Sequence, residues 1–151
     1  MTRTQDLTTI VRDGIARAVA VVALAGVGLI HVLDAPGKFA ETPYMGWMYV
    51  ALIAGSIVVA AELIRTGSRL AWAGAALLAL SALVGFTLTR TVGLPQATED
   101  IGNWSEPLGM ASLFVEGCLV ALSTAVLAVG GAVARTRAEV ANRGRTLTAS
   151  A

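Results

Sequence analysis

The single histidine of the chain is followed by an acid at a spacing that suits chemistry. Asp34 lies three residues after His31, and side chains three apart are neighbours on a helix. A carboxylate beside an imidazole fixes its tautomer and raises its basicity, as a metal ligand or an acid–base group requires. A structural role fits the same spacing, because a histidine near a helix end can cap that end. The sequence leaves both interpretations open.

Glu116 lies inside a long apolar run, roughly 12 Å below the outer end expected for its helix. A carboxylate in hydrocarbon is costly, so it should face other helices, find a partner or stay protonated. Ser112 and Ser123 share its helical face, four residues before it and seven after. That face suits a proton- or cation-linked site, or a neutral Glu116 hydrogen-bonded between helices. His31 is expected about 9 Å nearer the surface, so contact between the two would need a water molecule or Ser112.

Two polar segments, residues 34–42 and 90–106, hold five of the ten acids but only two basic residues, Lys38 and Arg90. Arg90 directly follows an apolar run, and we expect it to bind one of these acids and hold the longer segment in place. The alternative is that it anchors an anionic group of a lipid or a substrate. The candidate ligand-binding residues are His31, Asp34, Glu41, Tyr44, Arg90, Glu99, Asp100, Trp104, Glu106 and Glu116, and the candidate metal ligands among them are His31, Asp34 and Glu116.

The composition is that of a protein whose solvent is lipid. Of the 151 residues, 56% are hydrophobic and 14% are charged, against roughly 25% charged in soluble domains. The apolar residues fall in long blocks, and the length allows one domain. The net charge of +1 comes without a basic patch interleaved with aromatic residues, so nucleic acid is not an expected partner.

The cysteine and histidine counts limit the cofactors that one chain can hold. A single cysteine, Cys118, excludes an internal disulfide, a CxxC pair and an iron–sulfur cluster held within one chain. A single histidine excludes bis-histidine haem in the same way. No cofactor is predicted firmly. A divalent metal held by carboxylates and one imidazole is the metal site that these residues allow.

Four apolar segments are each close to the roughly 20 residues that cross a bilayer as a helix. They cover residues 14–33, 44–64, 70–89 and 107–134. Pro36 and Gly37 are expected to end the first helix, because neither residue readily continues one. Short connections make successive helices antiparallel neighbours. The predicted fold is therefore all-α, an antiparallel up-down bundle of four transmembrane helices in a domain of residues 14–134.

The polar ends of the chain predict its orientation. Residues 1–13 form a polar segment, and residues 135–151 a basic tail that is expected to be disordered. Nine of the eleven basic residues lie in the N-terminal region, the 65–69 turn and the tail. Positive-inside bias then places both termini in the cytoplasm and both acidic segments outside a plasma membrane. The basic start also resembles a secretory signal, but its apolar run continues past the small residues of a cleavage site.

Small residues recur at every fourth position on two of the predicted helices. The two stripes consist of Ala71, Ala75 and Ala79 and of Gly117, Ala121 and Ala125. Lipid supplies little hydrophobic drive between helices, so small residues provide the close approach that holds them together. Such stripes serve packing within one chain or between copies, which leaves a homo-oligomer or a larger membrane complex open.

A set of short motifs runs through the predicted membrane domain. They are Gly93-Leu94-Pro95, the GNWSEPLG segment at 102–109, Ser112-Leu113 with Glu116, and His31, Asp34, Pro43-Tyr44 and Gly46. Together they resemble a pattern of small four-helix bacterial integral membrane proteins of unknown function. The resemblance implies a bacterial inner membrane and a site on the outer face, and it brings no activity with it.

Three functions are open at this point. The first is an outward-facing acidic and histidine site that binds a cation or a small polar ligand, coupled to protonation of Glu116. The second is a non-catalytic accessory subunit that docks a partner through its acidic outer segments. The third is a membrane enzyme or redox subunit acting on a lipid or a quinone. The pattern contains no nucleophile–base pair, which favours a protein that is not an enzyme.

Overall fold

The backbone of residues 2–149 forms four helices in a computed structural model, which also describes the side chains of residues 5, 7–132, 135, 136 and 139. The helices are α1 (Thr2–Glu41), α2 (Pro43–Arg65), α3 (Arg69–Thr91) and α4 (Pro107–Ala149). The stretches long and apolar enough to cross a membrane are Leu7–Glu41, Pro43–Arg65, Arg69–Thr91 and Pro107–Ala132. The predicted all-α fold with four membrane-capable helices is confirmed. Many large apolar side chains are exposed on the outside of the bundle, the surface that lipid would cover.

The first helix is longer than the sequence predicts. It passes through Pro36 and Gly37 and ends at Glu41, so the helix break expected at these two residues is wrong. An internal proline removes the hydrogen bond to the carbonyl four residues earlier, here that of Val32. Pro36 is exposed and lies five residues before the end of α1, and membrane helices tolerate proline where the freed backbone groups find other partners. Asp34 is therefore a helix residue and not part of a connecting loop.

Both ends of the chain are helical where polar segments are predicted. The helix α1 begins at Thr2, inside the predicted segment 1–13, and α4 continues to Ala149, inside the predicted tail 135–151. The first residue and the last two lie outside the described backbone. The division of the chain into a cytoplasmic segment, a membrane domain and a disordered tail stays a prediction.

Two of the three connections are very short. Thr42 alone links α1 to α2, and Pro43 takes the first position of α2, where its fixed φ suits a helix. Gly67, with φ 55°, ends α2 in a backbone conformation that favours glycine. The Ser68 hydroxyl then accepts a hydrogen bond from the Ala71 amide at 3.2 Å and so caps α3. Links this short make the joined helices antiparallel neighbours.

The helices pair as two hairpins. The contacts of α1 with α2 and of α3 with α4 are the most extensive, α1 also packs on α4, and α2 and α3 share a smaller interface. Among the described side chains, the largest apolar groups of the buried core are Leu24, Leu63, Trp72 and Leu119. They lie towards the end of the bundle where α2 gives way to α3. The other end, where α1 and α3 finish and α4 begins, is called the roof end and carries the polar groups.

The two stripes of small residues have different surroundings. Ala71, Ala75 and Ala79 are all buried in the core. On α4, Ala121 and Ala125 are exposed. The face that α4 turns inward instead carries Ser112, Glu116, Leu119 and Ser123.

Candidate functional site

His31 and Glu116 lie at the same depth and face each other. His31 is ten residues before the end of α1 and Glu116 nine after the start of α4, which puts both about 14–15 Å below the roof end. The His31 Nε2 atom is 4.0 Å from the Glu116 Oε1 atom. The predicted separation of about 9 Å in depth is wrong, because it assumed that α1 ends two turns earlier.

The hydrogen bond of the other ring nitrogen assigns the proton of His31. The Nδ1 atom lies 2.9 Å from the Val27 carbonyl oxygen, and a carbonyl only accepts, so Nδ1 carries the hydrogen. In a neutral ring Nε2 is then an acceptor directed at Glu116. The His31 side chain is buried between α1 and α4, so its geometry is fixed by packing as well as by this bond.

Glu116 is completely buried, with an exposed fraction of 0%. The Ser112 hydroxyl donates to its Oε1 atom at 2.6 Å. Within the described part of the chain, the second carboxyl oxygen, Oε2, has no hydrogen-bond partner, and neither has the hydroxyl of Ser123 two turns further along α4. Buried polar groups are nearly always satisfied, so a carboxyl with one free oxygen is a departure that calls for a functional explanation.

Tyr49 connects His31 to Asp34. Its ring meets the imidazole edge-on, with centroids 4.7 Å apart, and its hydroxyl donates to Asp34 Oδ2 at 2.9 Å. The predicted pairing of His31 with Asp34 is thus mediated by a tyrosine from α2. In the sequence, Tyr49 has the position of an ordinary aromatic residue near the membrane interface, so its contact with the histidine was not predicted. Only the one-residue link at Thr42, which folds α2 back along α1, places it there.

Arg90 is the centre of a charge cluster at the roof end. Its side chain is 5% exposed and donates from Nη1 to Asp100 Oδ2 at 2.8 Å and from Nη2 to Glu106 Oε2 at 2.9 Å. The guanidinium also lies over the Phe86 ring, 4.8 Å from its centroid. The expectation that Arg90 binds the acids of the long connecting segment is therefore confirmed for Asp100 and Glu106.

Lys38 completes this cluster and ties α1 to it. Its ammonium group lies 3.0 Å from Asp100 Oδ2 and 3.0 Å from Glu41 Oε2. Asp100 is thus shared between a lysine of α1 and the arginine of α3. Lys38 was absent from the predicted site. Its spacing from His31 and Asp34, seven and four residues, would place all three on one face if the helix were known to continue through Pro36.

The connection from α3 to α4 folds over the roof end as a defined structure, and residues 92–106 are called the roof loop. The Gly102 amide donates to the Arg90 carbonyl at 3.0 Å, and Gly102 has φ 80°, which favours glycine. On the α2 side, the Thr42 hydroxyl donates to the Gln96 carbonyl at 3.2 Å and the Tyr44 hydroxyl to the Pro95 carbonyl at 2.7 Å. The loop is therefore fastened to both hairpins.

Several predicted site residues lie away from the interior. Glu99 and Trp104 are exposed, and the Trp104 ring packs edge-on against Phe86 with centroids 6.0 Å apart. Tyr44 is partly exposed and holds the roof loop. Glu41 is largely solvent-exposed beyond its bond to Lys38. None of these four residues lines the cavity beneath the roof end.

A cavity of about 640 Å³ lies between α2 and α3, under the roof loop. Towards the roof end its lining is polar, and the remaining lining residues are mostly apolar. The polar and charged lining residues are His31, Asp34, Lys38, Tyr49, Ser81, Thr89, Arg90, Asp100, Glu106 and Ser112. Glu116 lies directly behind this polar lining, in contact with Ser112 and close to His31. A concave, mostly apolar site with a few convergent polar groups is the usual form of a small-molecule site.

Comparison with known proteins identifies no family. No family model, no curated protein and no solved structure matches the chain. Its function must therefore be inferred from its own residues, and the resemblance to small bacterial four-helix membrane proteins stays a prediction.

The candidate metal ligands do not converge on one point. In the range of residues whose side chains are described, no group of three or more His, Cys, Asp or Glu side chains is placed to hold a metal ion. His31 and Glu116 face each other, whereas the Asp34 carboxylate accepts from the Tyr49 hydroxyl. A metal bound by His31, Asp34 and Glu116 stays a prediction, and it would require Asp34 to leave Tyr49.

The charge cluster predicts a loss of stability in acid. Burial disfavours the charged form of Asp100, but the hydrogen bonds and charges of Lys38 and Arg90 outweigh burial and hold its pKa below the ordinary value of 3.8. A carboxylate with a lowered pKa stabilises the fold above its unfolded pKa, and this contribution is lost as pH falls through the folded value. We expect the thermal unfolding midpoint in detergent to fall when the pH is lowered below about 4, and to fall less in Asp100→Asn than in the wild type. The neighbouring, exposed Glu99→Gln is the control, and equal behaviour of both variants would contradict the assignment.

Proposed function

We propose that the protein is a multi-pass protein of a bacterial plasma membrane, with both termini in the cytoplasm and the roof end facing out. Nine of the eleven basic residues support this orientation, since they lie in the N-terminal region, the α2–α3 turn and the C-terminal region. The motif resemblance to small bacterial membrane proteins supports the choice of membrane.

In that membrane, the cavity under the roof loop binds a cation or a small polar ligand, and the His31–Glu116 pair exchanges a proton as it does so. The observation that carries this proposal is the placement of a fully buried, half-satisfied carboxyl 4.0 Å from an imidazole, directly behind the polar lining of a cavity. Intramembrane ionisable residues are costly and usually mark ligand or proton sites.

One proton on the pair has two possible positions, and because Nε2 and Oε1 are 4.0 Å apart, beyond hydrogen-bond distance, its transfer needs a closer approach of the two groups. With the proton on Glu116 both groups are neutral, and with the proton on His31 Nε2 both are charged. A cation or a hydrogen-bond donor on the cavity side, beside Ser112, favours the ionised carboxyl. The proton then moves to His31 or leaves the pair.

Thermal unfolding in detergent with a panel of probes tests the proposal. The soluble probes are Mn²⁺, Zn²⁺ and ethanolamine, and the membrane-soluble probes with small polar heads are monoolein and decylubiquinone. A probe at 100 times its Kd adds about 2.7 kcal/mol to the free energy of unfolding, which corresponds to roughly 5 °C or more in a chain of this size. We expect at least one probe to do so in the wild type and none in Glu116→Gln.

Glu62→Gln is the matched control, because Glu62 is a helix glutamate at the opposite end of the bundle, paired with Arg65 at 2.7 Å. It should keep the full response to the probe. A Glu116→Gln protein that folds and still responds as the wild type does, or a wild type that responds to none of the probes, would overturn the proposal.

The two other functions receive less support from the geometry. A docking role for the acidic outer segments competes with the internal bonds of Asp34, Asp100 and Glu106, which already have partners within the chain. A nucleophilic mechanism at the cavity is not favoured, because the Ser112 hydroxyl is already bonded to Glu116 and Cys118 lies exposed on α4. The apolar part of the cavity lining is the one feature that favours a role in lipid or quinone chemistry.

A further inference from the structure

The cavity is long and narrow along α3. Its lining follows that helix from Gly74 to Arg90, and the rise between these two residues is about 24 Å. A volume of about 640 Å³ spread over this length suits a chain-like molecule better than a compact one. Away from the roof end the lining is apolar, with Leu52, Leu77 and Leu78 among its residues.

The cavity opens sideways between α2 and α3. Met48 on α2 and Leu77 on α3 line it and are 56% and 69% exposed, and the lining residues Ala51 and Ser81 are exposed as well. This opening lies at the smaller interface between the two hairpins. It faces the apolar flank that a bilayer would cover, so a ligand would enter from lipid.

Entry from the roof end is closed by the charge cluster. Asp100, in the roof loop, is bonded to Lys38 and to Arg90, and the other edge of the loop is held by Thr42 and Tyr44. A water-soluble molecule would have to break several of these bonds to pass. A lipid-soluble molecule need not disturb any of them.

The charged groups at the roof end favour one chemistry for the polar end of a ligand in the cavity. Its two cations, Lys38 and Arg90, are already paired with three carboxylates, those of Glu41, Asp100 and Glu106, so an anionic head would meet a net negative cluster. Within this cluster, the described side-chain atom that is buried without a hydrogen-bond partner is a donor, the Nε of Arg90. The complementary head is therefore neutral and carries an oxygen that accepts a hydrogen bond.

We propose that the cavity holds one neutral, single-chain lipid whose head carries hydroxyl or carbonyl oxygens. The head lies under the roof loop beside Arg90 and Tyr49, and the chain runs between α2 and α3 towards Gly74. This assignment rests on the proposed function, since it names the ligand of the same cavity. It adds the route of entry and the class of molecule.

Native mass spectrometry of the detergent-purified protein tests the assignment by counting bound lipids. The probes are monoolein and decylubiquinone, and the comparison lipid is dioleoylphosphatidylglycerol, which is anionic and has two chains. We expect one tightly held molecule of a neutral probe per chain, at a concentration at least tenfold below that needed for the anionic lipid.

Two glycine substitutions make a matched pair for this measurement. A Cβ atom at Gly85, which lines the cavity, or at Gly117, which does not, would meet no neighbouring atom within 4 Å. Gly85→Phe should fill the cavity and lose the bound lipid, whereas Gly117→Phe should retain it. Gly85→Leu serves as a smaller second obstruction should the phenylalanine variant not fold.

The outcomes separate this assignment from the proposed function. Equal binding of the anionic and neutral lipids, or retention of the lipid by both folded Gly85 variants, overturns the assignment. If a soluble cation stabilises the wild type but not Glu116→Gln while no neutral lipid binds, the assignment falls and the proposed function stands. If a neutral lipid binds, and its binding is lost in the Gly85 variants but unchanged in Glu116→Gln, the lipid assignment stands and the proposed proton exchange at Glu116 is overturned.

Discussion

Replacing Arg90 with alanine is expected to lower the free energy of unfolding by about 3–5 kcal/mol, the range found when one member of a buried ion pair is removed. The Arg90 side chain is 5% exposed and holds both Asp100 and Glu106. Without it, two partly buried carboxylates would face each other near Glu41 with only Lys38 to balance them. The roof loop would also lose its main attachment to α3. Unfolding in detergent with increasing denaturant measures the loss.

Arg65→Ala is the control for this substitution. Arg65 also pairs with a glutamate, Glu62, but its side chain is 74% exposed, and such pairs contribute less than about 1 kcal/mol. Arg90→Lys should recover only part of the loss, because lysine keeps the charge but cannot bond two carboxylates with a planar fork. Similar losses in Arg90→Ala and Arg65→Ala would contradict the role given to the cluster.

Ala75→Leu is the second substitution with a large expected effect. Ala75 lies in the core with an exposed fraction of 0%, and inserting three more carbons into a closely packed helix contact typically costs about 1–3 kcal/mol. The added side chain would push α3 away from its neighbours. Thermal unfolding in detergent should therefore show a lower midpoint for this variant.

The same change at Ala121 provides the comparison. Ala121 belongs to the α4 stripe and is exposed, so Ala121→Leu should alter stability by no more than about 0.5 kcal/mol. If Ala121→Leu were the more damaging of the two, the α4 stripe would be a contact surface in the detergent-solubilised protein. The packing assigned to α3 would then need revision.

The sequence predicts the number and type of helices well, since long apolar runs with charged ends have few alternatives in a membrane. It predicts the buried face of α4 from Glu116, Ser112 and Ser123, which are all buried, but it does not predict the buried face where a helix carries only apolar and small residues. The stripes at Ala75 and Ala121 look alike in the sequence, because lipid is as apolar as the protein interior and both environments accept alanine. Only the mutual packing of the four helices places one stripe inside and leaves the other outside.

The candidate site divides in a similar way. Arg90 was predicted to bind neighbouring acids because it is an isolated cation among them, and the structure confirms that pairing. The depth of His31 was wrong for a local reason, since proline and glycine at 36 and 37 predict a helix end that does not occur. Tyr49 could not be found from the sequence at all. Its contact with the imidazole depends on how α2 folds back along α1.

The one-residue link at Thr42 has a mechanical consequence. A single residue between α1 and α2 keeps the roof ends of these two helices together, and their extensive contact continues this pairing along the bundle. The two hairpins are joined by the turn at Gly67, which has a positive φ, and by the roof loop, residues 92–106. Separation of the two hairpins at the roof end would have to break the hydrogen bonds of Thr42 and Tyr44 to the roof loop.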